Sequence, residues 1–346
     1  MVRYRMPRQQ NKKPVFTPLR PEPRNRVWPG RLLLISILLL VGAIFWQRQA
    51  IGDWIQLYGY EPPARITALA DQTTMTASAE HLFYLNKPVV ASKAEFADFC
   101  KNPEQTIVLG CYHSGQDGIY ILSISNTSEL DGVMQVTAAH EMLHAAYDRL
   151  SSDEKARVDQ LLQTYYDNGL KDTAIKAEVD AYRKSEPGQL LNEMHSIFGT
   201  EVANLPAELE TYYAQYFTSR SAVVVQAESY QAAFRKREAA VKAYDVQLSN
   251  LQAKISHNKE LLAAQGKALQ AARSRLDSSK SSGNIASYNA AVPSYNNAVR
   301  TYNALLETTR EQINQFNAIV SKRNTLVLEE QNLVKQLSGE SLPGAK

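Results

Sequence analysis

The sequence predicts an α+β domain that follows a single transmembrane helix and precedes a long antiparallel coiled-coil hairpin. Three observations carry this. An uncharged apolar run, Leu32–Trp46, stands behind a dense row of arginines and lysines. β-Branched and aromatic runs give way after Ser128 to apolar residues at helical spacing. Beyond Ser221, large apolar residues recur every seven positions in two series separated by a polar turn.

Residues 1–31 hold Arg3, Arg5, Arg8, Lys12, Lys13, Arg20, Arg24, Arg26 and Arg31 against Glu22 alone. This Pro- and Gln-rich tail has too little apolar surface to form a core and is expected to be disordered. Leu32–Trp46 is short for a span, which needs about 20 apolar residues. Trp28 and Trp46 at the interfaces, with Arg31 and Arg48 snorkelling, extend it to an anchor over 32–48. The positive-inside rule keeps the N-terminus cytoplasmic and puts the rest outside, as a single-pass protein of the cell membrane. A competing reading is a signal peptide cut near Val41-Gly42-Ala43, with an unusually long basic region before it. The formal net charge of +3 resides mostly in the tail, so it points to a membrane surface rather than to nucleic acid. A stalk over 49–63 ends at Pro62-Pro63.

Residues 64–220 are long enough to bury one core. Ser92-x-x-Glu95 is a capping box that opens a short helix through Phe96 and Phe99. Thr106–Tyr112 and Gly118–Ile124 read as strands around a His113–Asp117 turn. Helices follow from Val133, from Ser151-x-x-Glu154 and from Pro206, which suits a first helical turn. Cys100 and Cys111 are expected to form a disulfide on the oxidising side of the membrane, closing a short loop for about 2–3 kcal/mol. Two buried thiols are the alternative. With no C-x-x-C spacing, they are not expected to hold a metal.

His140-Glu141-Met142-Leu143-His144 falls on the helix from Val133. Histidines four apart share one helix face, so both imidazoles can meet one zinc ion. The glutamate beside the first can act on a metal-activated water as general base. The plain alternative is a surface helix with two incidental histidines, although the chain has only six.

Asn192-Glu193-Met194-His195-Ser196 resembles the N-E-x-x-S-D ligand helix of thermolysin-like gluzincins. With H-E-x-x-H, it makes the chain similar to a divergent gluzincin-type, membrane-anchored zinc metallopeptidase, over two short segments. The resemblance implies a zincin-like catalytic domain, Zn2+ held by His140, His144 and Glu193, and Glu141 as the catalytic base. Two departures stand out. Ile197 replaces the family's aspartate that orients a zinc-bound histidine, so that partner comes from elsewhere or is absent. The two motifs also lie further apart than in thermolysin. Glu201, two turns after Glu193, and Glu178 or Asp180 remain open as third ligand. His195 projects about 200° from Glu193 around a helix, so it serves the substrate cleft or is an ordinary packed histidine. Tyr147, Tyr182, Tyr213 and His195 are the candidates to support an oxyanion.

The coiled coil is expected over 221–338. Phe234, Val241, Leu248, Ile255, Leu262, Leu269 and Leu276 form the first series. Val292, Val299, Leu306, Ile313, Val320, Val327 and Val334 form the second, with Tyr288, Tyr295, Tyr302 and Phe316 at the complementary position. Each arm should reach about 60–75 Å, with a kink at Pro293. Residues 339–346 form a tail. The expected activity is hydrolysis of peptide bonds in a protein or peptide substrate, or of a cell-wall peptide cross-link, with a protein partner on the coiled coil. The alternative is a non-catalytic envelope scaffold or regulator that works through the coiled coil around a structural metal.

Overall fold

The computed structural model describes residues 47–100, 108–115, 118–124 and 127–338, with residues 34, 36–39 and 41. It divides into two units, Met1–Tyr60 and Glu61–Lys346. In the first, α1 spans Arg48–Leu57. The expected transmembrane anchor, and the single-pass localisation drawn from it, need correction: no helix among the described residues is long and apolar enough to cross a membrane. Most of Leu32–Trp46, whose hydropathy carried that expectation, lies outside the described residues, as do the basic tail and 339–346. The helix behind the run has ten residues and is interrupted by Arg48 and Asp53.

In the second unit, α2 (Ala64–Gln72) and α3 (Ala77–Leu85) lead to β1 (Val89–Ala91) and α4 (Lys93–Phe99). The Ser92 capping box with Glu95 opens α4. β2 (Gly110–His113) and β3 (Gly118–Leu122) complete a sheet of order β1-β3-β2. β1 runs parallel to β3, with Val89 opposite Tyr120; β2 is antiparallel, with Cys111 opposite Tyr120. Then come α5 (Val133–Asp148), α6 (Ser152–Asn168), α7 (Thr173–Ser185), α8 (Leu190–Thr200) and α9 (Ala207–Tyr213). The capping box of Ser151 and Glu154 opens α6, and Pro206 is the N-cap of α9.

The expected α+β zincin-like domain is therefore corrected to a mainly helical one. The strands have three, four and five residues. Of the first predicted strand, Thr106 and Ile107 lie outside the described residues, and β2 begins at Gly110. Helices supply the core. Twelve of the sixteen residues of α5 are buried, so this helix is enclosed rather than amphipathic. Helices α2, α3, α8 and α10 (Arg220–Ser281) pack around it, with the sheet on its remaining side.

α10 and α11 (Ile285–Leu337) form an antiparallel hairpin, with Gly283 at φ 71° in the turn. At 62 and 53 residues they measure about 93 and 80 Å. α11 runs unbroken through Pro293. Asp245–Arg323 pairs across the arms, and Asn258 donates to Gln312 at 3.0 Å midway along the seam. The first turns of α10 belong to the domain: Val223 and Ala227 lie in the main core with Met142, Leu143 and Phe198. The last turns of α11 enter a second core, where Leu333 and Leu337 pack with Ala91, Phe96, Cys100 and Leu122. Val334, on the expected seam, is exposed, because the arm has left the seam for that core. Arg237 ties the base by pairing with Glu129 and lying 3.8 Å from Glu329.

Candidate metal centre

α5 and α8 pack side by side at the centre of the domain. Gly199 sets their spacing: a Cβ there would fall 2.4 Å from Leu143 Cδ1. The close approach carries Glu193, near the start of α8, across to the histidine face of α5. Glu193 Oε2 lies 3.6 Å from His140 Nε2, and its Oε1 lies 3.6 Å from His144 Nε2. One ligand atom from each residue falls within 4.8 Å of the others. His140, His144 and Glu193 can therefore bind a metal ion, and they are the one such group among the described residues.

His144 Nδ1–H donates to Asn192 Oδ1 at 3.0 Å and has Ser196 Oγ at 3.2 Å. This fixes the ring with Nε2 toward Glu193. The polar support of His144 thus comes from two residues of α8, the helix that carries Glu193. Asn192 and Ser196, the two ends of the N-E-x-x-S pattern, stand four apart on one face of α8.

Burial opposes charge on His140, but the Glu193, Glu141 and Glu201 carboxylates outweigh it and raise its pKa to about 9. His144 is held below its ordinary value by burial and by the charge on His140. Burial works against ionisation of Glu193 too, yet the two histidines keep its pKa low. Its Oε2 is buried and has no hydrogen-bond donor.

Glu141 is buried, and its side chain rests on the backbone of β2: a Cβ at Gly110 would lie 2.6 Å from Glu141 Oε1. Burial lifts its pKa to about 8, against the pull of His140 and with the push of Glu193. Glu201 ends α8, outside the ligand group, and accepts a hydrogen bond from Gln231 of α10. Glu178, on α7, is raised to about 8 by burial and then by Glu201. Neither joins the three converging ligands. Asp180 accepts from Tyr166 Oη at 2.6 Å.

His195 points away from the metal group into a cage of Tyr147, Tyr212, Tyr213 and Tyr216. It is fully buried and bonds Tyr212 Oη through Nε2 at 2.8 Å. Burial drives its pKa down to about 3. Tyr147 donates to Asp159 at 2.6 Å, and Tyr213 donates to the His195 carbonyl at 2.7 Å. Tyr182 differs: burial, then the Glu193, Glu178 and Glu141 carboxylates, raise its pKa, which sets it in the field of the centre. Cys100 and Cys111 form a disulfide and are not among the three converging residues. No family model, no curated protein and no solved structure matches this chain.

Proposed function

We propose that this chain is a zinc-dependent hydrolase of peptide bonds with Glu141 as its general base. The carrying observation is the convergence of His140, His144 and Glu193 beside a buried carboxylate that is not one of the three. Two imidazoles and one carboxylate are a known donor set of catalytic zinc, which keeps a fourth position open for water. The orphaned Glu193 Oε2 is an acceptor that a cation would satisfy. Bound there, zinc would acidify a water and polarise the scissile carbonyl.

The chain's own residues do the rest. His140, His144 and Glu193 would hold the ion, and Asn192 with Ser196 holds His144 in the tautomer that frees Nε2. Glu141 accepts a proton from the attacking water at its carboxylate and returns it to the leaving amine. Its buried position beside the three converging residues keeps bulk solvent from competing for that proton. Tyr182 is the hydroxyl assigned to the developing oxyanion, since Tyr147 and Tyr213 donate to other groups. The test is metal analysis of the purified full chain together with a peptide library. One zinc per chain is expected, with cleavage that chelation abolishes and zinc restores. A protein that holds zinc but cleaves no peptide rejects the reading.

A further inference from the structure

β2 is one of the two edge strands of the sheet and the element against which Glu141 rests. Gly110 makes that contact with no space to spare: an added Cβ would meet Glu141 Oε1 and Thr137 Cγ2, both at 2.6 Å. The next residue, Cys111, is bonded to Cys100, the residue that ends α4. Cys100 is buried in the second core, so the bond ties the edge strand to a fixed point. Cys111 is the more exposed of the two sulfur-bearing residues. His113, two residues along the same face of β2, brings Nε2 to 3.7 Å from Cys111 Sγ.

We propose that the Cys100–Cys111 disulfide is a redox switch on the base of the proposed hydrolase: oxidised, it holds Gly110 against Glu141, and reduced, it frees the strand and misplaces the base. This rests on the reading of Glu141 as general base. A thiolate of a dithiol reductant attacks Cys111 Sγ, forms a mixed disulfide and releases Cys100 as thiolate, which takes a proton. The reductant's second thiol then closes its own disulfide and expels Cys111 as thiolate. His113 stands in place to donate a hydrogen bond to that leaving sulfur. Two electrons and two protons pass from the dithiol to the two cysteines, and none of the metal ligands takes part.

β2 has four paired residues and a hydrogen bond from Tyr112 Oη to Asp148 at 3.1 Å, and the disulfide is the one covalent tie that adds to these in holding it. A displacement near 1 Å at a reacting group costs on the order of 10²-fold in rate. A disulfide that merely stabilised the fold would lose metal and secondary structure when broken. A switch loses neither.

The test reduces the full-length, zinc-loaded chain with dithiothreitol, removes the reagent without air, and compares it with the oxidised chain and with the Cys100→Ser/Cys111→Ser variant. Zinc content, circular dichroism, peptide hydrolysis and amide hydrogen exchange over Gly110–His113 are read on each. The expected result is unchanged zinc and helix content, faster exchange in β2, and hydrolysis down on the order of 10²-fold, recovered on reoxidation. Gly110→Ala should reproduce the loss with the bond intact. Equal hydrolysis in the oxidised and reduced chains, or zinc lost together with activity, overturns the proposal. Where no form hydrolyses peptides, the proposed function fails, and exchange alone decides on the clamp: faster on reduction supports it, unchanged overturns it.

Discussion

Asn192 Oδ1 lies 3.0 Å from His144 Nδ1, so the residue just before Glu193 fixes the orientation of another member of the group that can bind a metal ion. Removing that acceptor frees the imidazole to rotate. Asn192→Ala should therefore weaken zinc binding about 10–100-fold while leaving the fold intact. Ser196→Ala, at 3.2 Å, should do less. Competition against a chromophoric chelator measures both; an Asn192→Ala protein with wild-type affinity contradicts the assignment.

Glu141→Gln separates chemistry from metal binding. The amide keeps size and shape but cannot take a proton. Hydrolysis should fall by about 10²–10⁴, the usual worth of a positioned base, with stoichiometric zinc retained. His140→Ala and His144→Ala should instead lose the metal. Steady-state kinetics with elemental analysis on the same samples distinguishes the two kinds of loss.

Metal uptake should release protons. In protein prepared without metal, His140 carries a proton at neutral pH, because its folded pKa is raised to about 9. Zinc must displace that proton. Apparent affinity should rise with pH, by about tenfold per unit for one proton, and level off above pH 9. Calorimetric titration in two buffers of different ionisation enthalpy should show proton release at pH 7 and little at pH 9.5. The same charge contributes to the stability of the metal-free fold. Since the folded value lies above the unfolded one, its contribution is full below about pH 6.5 and is lost as pH rises through about 9.

Gly199→Ala tests the spacing of α5 and α8. The methyl would collide with Leu143 and Tyr213 side chains, both buried and unable to move aside freely. About 1–3 kcal/mol of destabilisation is expected from overpacking, against the roughly 1 kcal/mol that alanine gains as a helix former. A net loss of stability in chemical denaturation is the outcome to look for; a more stable variant shows that the helices can separate at no cost.

Arg220 is buried at the start of α10 and donates to the Phe198, Val202 and Ala203 carbonyls while pairing with Glu210. Arg220→Met leaves the three carbonyls without that donor, while Glu210 is partly exposed and stays solvated, and should cost about 1–3 kcal/mol. Shortening the hairpin beyond Asp245 and Arg323, with a short turn joining the arms, should leave stability nearly unchanged. Thermal unfolding of the two variants gives the contrast.

The local patterns were legible. Histidines four apart and the two capping boxes each depend on a single turn of helix, so spacing alone places them; Glu193 came only from a resemblance, with Glu201, Glu178 and Asp180 open beside it, because its approach to the histidines depends on α5 packing against α8. Cys100 and Cys111, the chain's two cysteines, allowed a single pairing. What depends on distant partners was not legible. β1 has only three residues and exists because β3 lies beside it. His195 owes its surroundings to three tyrosines at and beyond α9. Gly110 gives no sign in sequence that it touches Glu141. The heptad count ran on to Val334 because periodicity does not show where a helix exchanges its partner arm for a protein core. Hydropathy over Leu32–Trp46 suggested a membrane span that no described helix provides.

The two ends of the hairpin lie in different cores, and this sets an order of assembly. α5 can be enclosed once the first turns of α10 have been made, but the core under the sheet waits for Leu333 and Leu337. Until the chain has run out along one arm and back along the other, Phe96, Leu122 and Ile124 lack their cover. Such late closure between residues far apart in sequence is slow and leaves apolar surface open to aggregation during synthesis. A chain stopped short of its last two helical turns would carry every ligand of the metal centre and still lack part of its interior. Its half-life in the cell, rather than its chemistry, would mark the defect.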